Sequence, residues 1–148
     1  MEKARTPKKI FREGAISPAF IADSIAKHQS KTDIGGHAIF MGQVRADEVG
    51  GRPVVAIDYT AYEEMAEQVV HEIRERAFAA FPLSCMHIYH SLGHVAAGEI
   101  CLFVFVSSRH RAAAFDACRQ IVEELKAQAP IFGKELFEDD TYVWKSNG

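Results

Sequence analysis

The stretch ICLFVFVSSRHRAAAFDACRQIVEELKAQAPIFGKE, from Ile100 to Glu135, decides how this chain folds. Its first seven residues, Ile100 to Val106, form an unbroken apolar run with β-branched and aromatic members, which reads as a buried strand. Ser107 or Ser108 can then cap a helix. The periodicity predicts a helix that runs on to Lys126 and stops before Pro130. Phe115, Cys118, Val122 and Leu125 fall on one helical face, the expected core side. Arg111 lies four, seven and eleven residues before Phe115, Cys118 and Val122, so its side chain is expected to point inward. A guanidinium aimed at the interior from a helix start needs a partner, and an anion suits it. His110 and Arg111 also sit where the unpaired N–H groups and the dipole of a first turn favour negative charge.

At the far end of the same helix, Lys126 lies at the edge of the apolar stripe, and Lys134 follows in PIFGKE. A partly desolvated lysine can bind an anion or, with a lowered pKa, take part in proton or covalent chemistry. Arg111 and Lys126 are fifteen residues apart in sequence, which places their Cα atoms roughly 22 Å apart along a helix. One small molecule does not bridge that gap. If both ends serve one site, two copies of the chain each contribute one end, and the expected assembly is a homodimer with composite sites.

Outward from this stretch, Ser17-Pro18 opens an earlier helix that carries Phe20, Ile21, Ile25 and His28, after a short strand in Ile10–Ile16. GHAIFMGQVR (Gly36–Arg45) reads as a strand with an irregularity at Gly42, followed by the loop ADEVGGRP. PVVAIDYTAY (Pro53–Tyr62) is expected to pair with that strand as an antiparallel neighbour. Met65, Val69, Ile73 and Ala77 mark a helix from Glu63 to Phe81. A strand over Cys85–Leu92 is followed by a turn or bend at Gly93 and a further turn at Gly98. The segment after Pro130 alternates like two strands around Asp139-Asp140. The order of elements gives an α+β fold with a largely antiparallel sheet and about three helices, not the strict alternation of a doubly wound fold.

The 148 residues suit one domain with a proper core. The expected division is a basic N-terminal tail over 1–14, carrying Lys3, Arg5, Lys8, Lys9 and Arg12, and a single domain over 15–148. A net charge of −3 argues against a general nucleic-acid binder. Three cysteines without paired spacing read as reduced thiols in a cytoplasmic protein, and no membrane-length apolar run is present. Nucleotide-binding glycine motifs and a hydrolase elbow are absent. Cys85, His87, His90 and His94 are the one dense group of metal-ligating types. His87 and His90, three apart on a strand, face opposite sides, so no metal and no resident cofactor is expected.

Several segments together are similar to one family: GGHAIFMGQVR (35–45), VVAIDYTAYEEMAE (54–67), IYHSLGHVAAGE (88–99), VFVSSRHRAAAFDACRQIVEELKAQAP (104–130), PIFGKE (130–135) and YVWK (142–145). The chain resembles the large, catalytic subunit of molybdopterin synthase from about Gly35 to its C-terminus. The resemblance implies an α+β fold of the α/β-hammerhead type. It implies a homodimer within a heterotetramer, with one small ubiquitin-like sulfur-carrier subunit at each end. The C-terminal Gly-Gly thiocarboxylate of that partner would donate sulfur to cyclic pyranopterin monophosphate, two rounds giving the molybdopterin dithiolene. By motif, Gln43, Val44, Arg45, His110, Arg111, Lys126, Gly133, Lys134 and Glu135 fall on substrate-binding positions, with Lys126 as the matching catalytic lysine and Lys134 expected to act as the second in place of the residue at Gly133. Two positions depart from the pattern. Gly133 stands where the family carries its second functional lysine, and Ser91 replaces the arginine of its HRxG motif. The alternative is therefore a degenerate homologue that docks the partner without efficient chemistry.

Overall fold

A computed structural model describes residues 7–146. The chain forms β1 (Phe11–Glu13), α1 (Pro18–His28), β2 (Gly36–Gln43), β3 (Glu48–Val49), β4 (Arg52–Pro53), β5 (Ala56–Ala61), α2 (Glu63–Ala80), β6 (Leu83–Ala96), β7 (Ile100–Ser108), α3 (Arg111–Gln128), β8 (Ile131–Leu136) and β9 (Tyr142–Trp144). The main sheet has the order β2-β7-β6-β5-β8-β9, and all of these pairings are antiparallel. β1 adds a short parallel pairing to β6. The architecture is α+β with three helices and a largely antiparallel sheet, as the order of elements implies. The part of the basic tail over residues 1–6 lies outside the described residues. Ile10 is already buried, and Phe11–Glu13 run along the sheet.

β7 carries the fold. Residues Cys101 to Ser108 are all buried, because helices cover both faces of the sheet here. Leu102, Val104 and Val106 face α2 and α3 with Ile73, Ala117 and Ile121. Phe103 and Phe105 face the other way, against Ile16 and Ile21 at the start of α1. A strand buried on both sides reads as a continuous apolar run rather than an alternation, which is why Ile100–Val106 looks as it does. α1 starts as its sequence predicts, with the Ser17 hydroxyl accepting from the Phe20 N–H at 3.1 Å.

Several expectations need correction. β5 does not pair with β2: β2 lies on β7, and β5 sits between β6 and β8. The loop after β2 closes its own small hairpin, β3–β4, and lets the chain cross to the other half of the sheet. The buried stripe of α2 runs through Ala66, Val70, Ile73 and Ala77, and Met65 is exposed. In α3 the buried set is Ala114, Ala117, Cys118, Ile121 and Leu125, and Phe115 is exposed. The core uses small alanines at close approach, so large apolar residues alone mislead the face assignment by one position. Arg111 accordingly points to solvent rather than inward. Neither serine caps α3. His110 is its N-cap residue without a side-chain cap bond, and both serines are buried at the end of β7.

Gly93 sits at φ 78° and bends β6 without ending it, so Cys85–Leu92 and His94–Ala96 are one strand. Gly35 is needed for a different reason. Its N–H donates to the Ser108 carbonyl at 3.0 Å, and a Cβ there would collide with the Arg109 carbonyl oxygen. Gly35→Ala is therefore expected to lower stability by more than about 2 kcal/mol, read as a lower urea midpoint with the slope unchanged.

Candidate functional site

The two ends of α3 are far apart in the fold, as the helical rise requires. At its start, Arg109, His110, Arg111 and Ala112 surround a shallow open depression beside Gly35. Gly36 lies against the backbone of Arg111, so the beginning of β2 is tied to the beginning of the helix. All three basic residues here are exposed.

At the other end, Lys126 lies between two adjoining hollows. One is a slot lined by Ile88, His90, Leu102, Leu125, Ile131 and Gly133. The other is a more polar cleft formed by Gln43, Val44, Arg45, Cys101 and Glu135, with Phe40 and Met41 at its edge. Tyr59, Lys126 and Lys145 line both. Of the residues predicted from sequence, Gln43, Val44, Arg45, Lys126, Gly133 and Glu135 thus come together. His110 and Arg111 of the same chain do not join them.

The register of β8 decides which lysine reaches this place. Gly133 and Glu135 face the hollows, and Lys134 between them points to the opposite side. Its ammonium lies over Tyr142 and Trp144, 4.6 and 5.2 Å from the ring centroids. Lys134 is therefore not brought to Lys126 in this structure. Lys145, one residue past β9, is. Its backbone N–H donates to the Gly133 carbonyl at 2.8 Å, which anchors it across the strand from the position lacking a side chain. Sequence reasoning passed over Lys145 although YVWK was noted, because the alternation that selects it depends on the β8–β9 register. A Cβ on Gly133 would stand 2.8 Å from Ile57 Cγ2 and 3.3 Å from a Tyr59 ring carbon, so the strand here is packed for glycine. Ser91 is fully buried in the β1–β6 junction with no partner for its hydroxyl among the described residues.

Electrostatics favour an anion beside Lys126. Although much of its surface is exposed, the surrounding walls lower its pKa by desolvation, Cys101 raises it and the like charge of Lys145 lowers it. Two cations held close together in a half-apolar setting gain most from a negatively charged ligand. Tyr59 is held well above its usual pKa, first by burial and then by Cys101 and Glu135, so its phenol stays protonated. His90 donates from Nδ1 to the Ser91 carbonyl at 2.8 Å and meets the Tyr59 ring edge-on at 4.9 Å. Its burial pushes its pKa down to about 4.

Fold and site together define a class: a three-helix α+β protein whose lysine-bearing cleft lies between the end of its third helix and the strand that follows. The family model described as "MoaE protein" matches residues 15–128, and the chain belongs to that family. It is 39% identical over 113 residues to the molybdopterin synthase catalytic subunit of Pyrococcus abyssi, covering 76% of each chain. The X-ray structure of molybdopterin synthase from Staphylococcus aureus superposes with a TM-score of 0.81 at 26% identity, covering 94% of this chain and 98% of that one. One chain of the complex between subunits 1 and 2 of the Helicobacter pylori molybdopterin-converting factor shares the fold, with a TM-score of 0.79 at 18% identity over 93% of this chain and 89% of that one.

His90 makes a pH prediction. Its folded pKa of about 4 lies below the ordinary 6.5. The unfolded chain therefore binds more protons between those values, and stability, full above the higher one, is lost as pH falls toward the lower. Unfolding free energy at pH 5 is expected to be about 1–2 kcal/mol lower than at pH 7 from this ring. His90→Gln should flatten that part of the urea-midpoint profile.

Proposed function

We propose that this chain is the catalytic subunit of a molybdopterin synthase. It would transfer sulfur from the thiocarboxylated C-terminus of a small ubiquitin-like partner to cyclic pyranopterin monophosphate. The observation that carries the reading is the pairing of Lys126 and Lys145 at the junction of slot and cleft, in a chain of this family. The slot, floored by Gly133, suits a Gly-Gly tail without side chains. The polar cleft, with Gln43 and Arg45, suits a pterin bearing a phosphate. Lysine ammonium groups at the junction would hold the anionic thiocarboxylate against the substrate and stabilise negative charge as the acyl–sulfur bond breaks. Sulfur stays on the pterin carbon, and water takes the acyl group, returning the partner as a carboxylate. The degenerate alternative is not favoured, because Lys145 supplies a second cation where Gly133 lacks one.

The geometry also supports the homodimer. β2 is an edge strand with Ile39, Phe40 and Met41 all exposed in succession, a row that calls for cover. Two β2 strands paired antiparallel about a two-fold axis would bring Gly36 of one copy beside Gln43 of the other. Since Gly36 lies against Arg111, His110 and Arg111 of the second copy would approach the first copy's cleft, completing it with the cations that its own α3 holds at the wrong end. The ubiquitin-like subunits would then occupy the two outer ends of a heterotetramer. In localisation, no helix among the described residues is long and apolar enough to cross a membrane, and the three cysteines are unpaired and buried. A cytoplasmic setting fits that chemistry.

With a thiocarboxylated partner and the pyranopterin precursor, purified protein is expected to form product, and none above background overturns the proposal. Lys126→Ala should lower turnover by at least ~100-fold and Lys145→Ala by ~10-fold or more, with Lys134→Ala within about twofold of the parent. A deep loss in Lys134→Ala with none in Lys145→Ala would reverse the assignment. Met41→Asp is expected to convert the dimer to monomer in light scattering and to remove activity without unfolding the chain.

A further inference from the structure

On the face of the sheet turned away from the lysine slot, the last residue of α1 meets the first half of β6. His28 Nε2 lies 2.9 Å from His87 Nε2, and one ligand atom from each of His28, Cys85 and His87 falls within 4.8 Å of the others. We propose that His28, Cys85 and His87 form a binding site for a zinc-class divalent cation, separate from the synthase site. The three belong together for reasons the strand and helix impose. Cys85 and His87 are two apart on β6 and share a face, whereas His90 turns to the other face and His94 is exposed. His28 arrives from a helix more than fifty residues earlier in the chain, which is why the sequence alone groups His87 with the wrong histidines.

The ring of His28 is already prepared as a ligand. Its Nδ1 donates to the Ser24 carbonyl at 2.7 Å, which leaves the lone pair on Nε2 directed into the cluster. A backbone carbonyl in this outer position is the usual way a metal-binding imidazole is oriented. With Nε2 of His28 accepting, Nε2 of His87 is the donor in their mutual hydrogen bond, and a cation would take the place of that shared proton, His87 passing to the tautomer protonated at Nδ1. His87 is neutral near pH 7, since burial above all, then His28, Lys8, Arg74 and Lys31, holds its pKa at about 4. His37, bonded through Nδ1 to the Ser107 hydroxyl at 2.7 Å, packs beside His28 and is also shifted toward the neutral form. Phe105 closes the site from within the sheet, its ring centroid 4.7 Å from that of His28.

Two imidazoles and one thiolate suit zinc or cobalt(II) rather than magnesium or calcium. Tetrahedral bonds of ~2.1 Å to nitrogen and ~2.3 Å to sulfur require ligand atoms roughly 3.3–3.6 Å apart, so the imidazole pair opens by a few tenths of an ångström. The Cys85 side chain, with ligand atoms up to 4.8 Å apart in the group, closes by roughly 1 Å. The thiol proton leaves to solvent as the metal–sulfur bond forms, and water fills the fourth position. The Lys31 ammonium, which donates to Cys85 Sγ at 2.9 Å, must swing aside. It belongs to an exposed residue on a loop. The positive charges of Lys31, Lys8 and Arg74 oppose a cation, and the thiolate offsets part of that, so binding weaker than that of a four-ligand structural site is expected.

The test is titration of the untagged chain with cobalt(II). One equivalent should produce tetrahedral d–d bands and a near-ultraviolet thiolate-to-cobalt charge-transfer band. Cys85→Ser should lose that band and bind at least ~10–100-fold more weakly, a ligand mattering no less than its outer partners. Cys118→Ser should keep it. In the parent chain, zinc at one equivalent should move the imidazole nitrogen resonances of His28 and His87 and leave those of His110 in place, a readout that does not depend on any variant folding. Absence of the charge-transfer band, its survival in Cys85→Ser, or zinc shifts confined to His110 would each overturn the site.

Discussion

The burial of β7 on both faces is the constraint on which the rest depends. Once Cys101–Ser108 are enclosed, one face must be covered by α2 and α3 and the other by α1, and the two clusters follow. Both of its edges are taken, by β2 and β6, so β2 becomes the outer edge and its apolar residues are left without a neighbour. The start of α3 is fixed by the end of β7, and the glycines at 35 and 36 let β2 begin directly against that start. Edge strand, helix start and lysine cleft are thus consequences of a single strand that no solvent reaches.

Within that frame, the site is assembled from positions whose roles depend on strand parity. β8 presents Gly133 and Glu135 to the cleft and must then turn Lys134 away, because successive side chains alternate across a strand. The lysine that is adjacent in sequence is held over Tyr142 and Trp144. The lysine that shares the cleft with Lys126 lies just past a different strand, eleven residues further on, placed there by one backbone hydrogen bond to Gly133. A missing side chain at Gly133 and a lysine at 145 are two parts of one arrangement. The same parity separates His87 from His90. One joins a histidine–cysteine group under α1, and the other lines the slot beneath α3.

Element type was read correctly wherever periodicity was long: the three helices, the buried strand and the closing pair of strands all lie close to their expected places. The α+β class followed from element order alone. The errors were of pairing and of face. PVVAIDYTAY looks like the hairpin partner of GHAIFMGQVR, yet β5 lies two strands further across the sheet, since the intervening loop forms its own hairpin and strand propensity carries no record of which edge is free. Arg111 was turned inward by counting from Phe115, although the helix packs on alanines that hydropathy weighs lightly.

What the sequence determined by itself was chemistry and local form. It held the basic residues at the two ends of one helix, the apolar strand before it, the proline after it and the motif spacing shared with the MoaE family, because each of these is a property of neighbours along the chain. The helical rise even showed that one copy cannot use both ends of α3 for a single small ligand. Only the tertiary structure decided which lysine accompanies Lys126, which histidines meet Cys85 and which strand is left at the edge. Those outcomes rest on pairing and packing between segments far apart in sequence, and a strand shifted by one residue would exchange the lysines and the histidines alike.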